Sequence, residues 1–177
     1  MSRARRLVGA LVFSSGALLA VIAAAQGTSS ICSAHNGRPV GFRPSVAIPD
    51  IALATVDRHS GEPLIYYHPH VIAWLPPQLR AWIHAHECAH HALDHLRYGD
   101  VTAAQEIEAD CWATRELTAQ GLLSPADIAL MEHAIALLLP AHWEHMPGRF
   151  RAIELQKCVS YPAGSWRWPP GAPTHLR

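Results

Sequence analysis

The chain has 177 residues, enough for one domain with a core of its own. Half of them are hydrophobic and 16% are charged, which excludes wholesale disorder. Formal net charge is zero, so no basic excess exists to hold a nucleic-acid backbone, and no nucleic-acid partner is expected.

In chain order, Arg3, Arg5 and Arg6 precede an apolar run over residues 7–25 that ends in Ala23-Ala24-Ala25, an A-x-A-like cleavage site before Gln26. Residues 1–25 therefore read as a signal peptide. An uncleaved anchor is the alternative, because the run is just long enough to span a bilayer. In both cases the rest is expected to be exported, periplasmic or secreted, with a membrane as partner only if the segment is retained. Residues 26–160 are expected to form one domain. Residues 161–177, with Trp166, Trp168 and four prolines, are expected to be an irregular tail.

Within the domain, Gly, Ser, Asn and Pro over 26–46 predict an irregular lead-in. Residues 51–56 and 64–67 predict two strands joined by the Asp57-to-Pro63 hairpin loop. Pro77 opens a helix whose apolar spacing runs to about residue 96, with Gly99 as its end. A second helix is predicted over 102–120, stopped by Gly121, and a third from Ser124-Pro125-Ala126-Asp127 to residue 139. A shorter fourth helix is predicted over 147–158. Trp74 and Trp82 are assigned to the core. The fold class is α+β, mostly helical, with a small antiparallel sheet before the first long helix.

Thirteen histidines are the one unusual count. His86-Glu87-Cys88-Ala89-His90 lies in the first long helix. Residues four apart sit about 40° apart around a helix and one turn along it, so His86 and His90 can offer two imidazole nitrogens to one ion. Glu87, at the edge of that face, can reach a water on the ion and act as general base, then acid. A peptidase also needs a third ligand. The arrangement H-E-x-x-H-x-x-G-x-x-H is excluded, since Leu93 and Leu96 stand where the glycine and third histidine belong. Glu106-Ile107-Glu108-Ala109-Asp110 on the next helix supplies Glu106 as ligand and, on the same face, Asp110 to orient a ligand histidine. Glu108 lies about 200° from Glu106, on the wrong face. His84, His91 and His95 are read as structural or surface residues. His95, about 180° from His86 on a continuous helix, is expected to point away from the ion, and His95→Ala to keep the metal.

These elements resemble the gluzincin zinc peptidases that include the CAAX prenyl proteases and the heat-shock-induced membrane zinc peptidases. The resemblance rests on H-E-x-x-H-x-x-x-x-H followed by E-x-E-A-D. A weaker third element is His145-Met146-Pro147-Gly148-Arg149-Phe150-Arg151-Ala152, where the family often has H-P-P-x-x-x-R-I. Met146 and Ala152 depart from it, and the family's multiple membrane spans are absent. The resemblance covers residues 62 to 155 and implies a zincin-like core, one Zn2+, a peptide or protein substrate, and His145 and Arg151 as catalytic residues beside the oxyanion. Residues 64–67 are read either as the edge strand such enzymes offer to an extended substrate or as an ordinary strand. The rival function is a non-catalytic exported metal-binding or interaction module that retains the fold.

Cys32, Cys88, Cys111 and Cys158 form an even set in an exported chain, so two disulfides are expected, with three possible connectivities. On ideal helices Cys88 points about 180° and Cys111 about 120° away from the metal-facing directions. Bonds from these two to the outer segments holding Cys32 and Cys158 are therefore favoured over a Cys88–Cys111 bond.

Overall fold

The computed structural model describes residues 32–137 and 155–160. The expected leader, His145, Arg151, the start of the fourth helix and the tail from residue 161 lie outside them. The architecture is α+β. Three short strands, β1 (Gly41–Pro44), β2 (Ala52–Val56) and β3 (Pro63–Tyr67), precede the helices. These are α1 (Pro69–Trp74), α2 (Pro77–Ala92), a 3-10 turn over His95–Tyr98, α3 (Ala103–Ala119), α4 (Pro125–Leu137) and α5 (Leu155–Ser160).

The hairpin forms as its turn chemistry dictates. The Asp57 carboxylate accepts the backbone N–H groups of His59 and Ser60, and Gly61 takes φ +68°. These bonds, that from Ser60 first, hold the exposed Asp57 carboxyl below its usual value. β2 pairs antiparallel with β3, Ala54 opposite Ile65. The lead-in is not wholly irregular, because β1 pairs parallel with β3 on its other side. The sheet is therefore mixed, in the order β1-β3-β2, and β3 is its central strand. Residues 64–67 thus are not an edge strand; among the described residues the edges are β1 and β2. α1 is a further element the prolines concealed. His68 caps it by accepting the Val71 N–H, and Pro69 occupies its first turn.

α2 begins at Pro77 but ends at Ala92, four residues short of the expected extent. Asp94 then adopts the left-handed conformation (φ 60°, ψ 30°), which Asp tolerates better than most residues. Asp94 is held there by His35 Nδ1 at 3.1 Å, while the His35 N–H donates to the His91 carbonyl. α3 opens with a reciprocal capping box between Thr102 and Gln105 and stops before Gly121 at φ +70°. At α4 Ser124 and Asp127 exchange side-chain to backbone hydrogen bonds.

The main core packs α2, α3, α4 and α5 together. Leu79, Trp82 and Ile83 meet Ala113, Leu117, Ile128, Met131, Ile135 and Leu155. Trp82 is fully buried and its indole N–H donates to Thr114 Oγ1 at 2.9 Å, which fixes the roll of α2 against α3. Trp74 does not join it: at the end of the short α1 it is 88% exposed. Two disulfides tie the core to outer segments. Cys32–Cys88 and Cys111–Cys158 have Cα separations of 5.7 and 4.8 Å. This is one of the two pairings the helix-face argument left open, and such bonds persist in oxidising compartments outside the cytosol. Among the described residues no helix is long and apolar enough to cross a membrane.

Candidate metal centre

The packing of α2 on α3 brings His86, His90 and Glu106 together, all buried, with one ligand atom of each within 4.8 Å of the others. His86 Nε2 lies 3.0 Å from His90 Nε2 and 3.2 Å from Glu106 Oε2, and His90 Nε2 lies 3.7 Å from Glu106 Oε1. Ligands at tetrahedral positions around an ion with bonds of about 2.0–2.1 Å sit roughly 3.3 Å apart, so these separations suit a small divalent cation.

The second contacts of the rings agree. His86 Nδ1 lies 2.8 Å from Asp110 Oδ1. The carboxylate accepts, so the ring proton is on Nδ1 and Nε2 presents its lone pair to the centre. His90 Nδ1 is 3.1 Å from His95 Nδ1, and His95 Nε2 is 3.3 Å from Glu108 Oε2. With the His86 proton on Nδ1, its Nε2 lone pair and the Glu106 carboxylate converge beside His90 Nε2. A cation between them turns their mutual repulsion into attraction.

Glu87 lies beside this cluster rather than in it. Its Oε2 accepts the backbone N–H of Ala54, on β2, at 2.7 Å. Burial raises its pKa; the neighbouring His86 and the Ala54 N–H oppose that, while Glu106 and Asp50 add to it. The Ala54 bond also shows which groups of β2 are turned outward. The Asp57 N–H donates to Glu62 and the His68 N–H to Ile51, so residues 51, 53, 55 and 57 face β3. Ala52, Ala54 and Val56 turn their backbone groups to the other edge, where β2 has no strand partner among the described residues.

The remaining histidines divide. His84 packs against Phe42 and Tyr67, and burial lowers its pKa. His91 ties α2 to the sheet through Nε2, 2.9 Å from the Leu64 carbonyl oxygen, and burial lowers its pKa too. Both match the structural reading. His95 does not. It is 5% exposed and lies against the His90 ring. The expectation that it points away assumed a helix continuing through it, whereas the turn at Asp94 folds it back. Its pKa is lowered by burial, against the opposing effect of Glu108. Glu108 is off the metal cluster, as its helical phase requires, and contacts His95 instead. No residue type or spacing around Leu93-Asp94 distinguishes this turn from another half-turn of helix.

No family model, curated protein or solved structure matches the chain.

Proposed function

We propose that this chain is an exported zinc metalloendopeptidase of the gluzincin type, acting on peptide or protein substrates. The observation that carries the proposal is the convergence of His86, His90 and Glu106 at ligand spacing, with a buried carboxylate, Glu87, beside them. His86, His90 and Glu106 would hold the ion, and Asp110 would orient His86. When bound, zinc supplies a Lewis acid that acidifies water and polarises a carbonyl.

The protein's own groups do the rest. Glu87 takes a proton from the attacking water and delivers it to the leaving amine. The Ala54 N–H holds that carboxylate at the edge of β2, where an extended peptide added as a further strand would lie. Ala52 and Val56 flank it on the same edge, so recognition runs largely through backbone groups. His145 and Arg151 belong to the proposal as the groups beside the developing oxyanion.

The rival, a non-catalytic metal-binding or interaction module, needs the three ligands but not Glu87. A carboxylate placed beside the ligand group, where a general base would stand, favours the enzyme. The test is a broad peptide library with the mature, disulfide-bonded protein. Cleavage should vanish on chelation and return on adding about one equivalent of zinc. A zinc-loaded protein inert toward the whole library would favour the module.

A further inference from the structure

The side chain that most resists a structural explanation is His95. It is buried at the start of the 3-10 turn after α2, against Nδ1 of the His90 ring, and a solvent-facing carboxylate stands behind it. We infer that His95 is a positioning residue for the metal centre, holding the His90 ring in the tautomer that presents Nε2 to the ion. The inference rests on the metal reading proposed above.

The argument is one of hydrogen-bond parity. The two Nδ1 atoms of His90 and His95 are 3.1 Å apart, so one ring donates and the other accepts. If His95 donated from Nδ1, its Nε2 would bear a lone pair facing the Glu108 carboxylate at 3.3 Å. His90 would then carry its proton on Nε2, aimed at His86 and Glu106, and could not ligate. In the opposite arrangement every donor meets an acceptor. His90 Nδ1–H donates to His95 Nδ1, and His95 Nε2–H donates to Glu108. His90 Nε2 is then a lone pair directed into the cluster.

Each ligand imidazole is thus oriented by a different device. For His86 it is a carboxylate on α3 in direct contact. For His90 it is a second imidazole, itself oriented by a carboxylate of α3 two residues before Asp110. The Glu108 side chain is 55% exposed, so this hydrogen-bonded chain leads from a proposed ligand to solvent. The left-handed turn at Asp94, braced by His35, puts the second imidazole in place.

The experiment measures the zinc affinity of the full mature protein by competition with a chromophoric chelator, for wild type, His95→Ala, His95→Asn and Glu108→Ala. Melting of the metal-free proteins controls for folding, and the visible spectrum after cobalt substitution reports ligand geometry. Loss of such a partner weakens metal binding roughly ten- to hundredfold, and this is expected for His95→Ala. His95→Asn, whose Oδ1 can accept the His90 Nδ1–H, should recover most of that loss. Glu108→Ala should show a smaller loss in the same direction.

A folded His95→Ala protein that binds zinc within about twofold of wild type overturns the inference, as does an Asn variant no better than Ala. If His95→Ala does not fold, unchanged affinity in Glu108→Ala, a substitution at an exposed side chain, overturns it instead. A wild type that binds no zinc overturns the metal reading itself, a result distinct from all of these.

Discussion

Glu87→Gln is expected to keep its zinc and lose proteolysis. The amide has nearly the shape of the carboxylate and can still accept the Ala54 N–H through its carbonyl oxygen, so the local packing of α2 against β2 should survive. What it cannot do is take a proton. Removing a general base of this kind costs roughly 10²–10⁴-fold in rate, and the expected fall in kcat/KM is of that size. Zinc content and peptide cleavage are measured on the same preparation. Cleavage within tenfold of wild type would show that another group carries the proton. Loss of zinc together with activity would show that Glu87 belongs to the ligand set.

Replacing both cysteines of the Cys32–Cys88 bond by alanine is expected to destabilise the fold by about 4 kcal/mol. The bond closes a separation of 56 residues, and a loop of that length restricts the unfolded chain by about this amount. The melting temperature should fall by about 10 °C. Cys88 follows Glu87 directly, so the same bond anchors the part of α2 that carries the site to the segment before β1. Cys111 follows Asp110 and is tied to α5 across 47 residues, a comparable closure. Thermal melts of the oxidised wild type and the double variant decide it. A shift under about 2 °C would show that the cluster of Val40, Ala54 and Ile65 around the bond holds this region unaided.

The elements and the site differ in how far they could be read from sequence. α2, α3 and α4 are visible because a period of 3.6 coincides with local start and stop signals: Pro77, the Thr102 cap, Ser124 with Asp127, and Gly121. The hairpin is visible because Asp57 and Gly61 carry its turn. The convergence of His86, His90, Glu106 and Asp110 follows from four-residue spacing on two helices, a local rule that needs no knowledge of their packing. The rest depends on distant partners. β1 is a strand only because β3 lies beside it, and that pairing turns residues 64–67 from a candidate edge into the centre of the sheet. Trp74 has a core side chain but sits on a short helix that turns it outward. His95 was assigned by helical phase, and one left-handed residue, held by His35 from 59 positions earlier, invalidates the phase. That Cys88 and Cys111 do not pair with each other, by contrast, follows from helix phase, because both lie within intact helix; which outer cysteine each takes depends on distant packing.

The central claim, a single metal held by two helices, is tested most directly by elemental analysis of the mature protein purified without chelators, alongside His86→Ala. The account predicts about one equivalent of zinc per wild-type chain and less than about a tenth of an equivalent in the variant. Less than about half an equivalent in the wild type, or equal zinc in both, would contradict it.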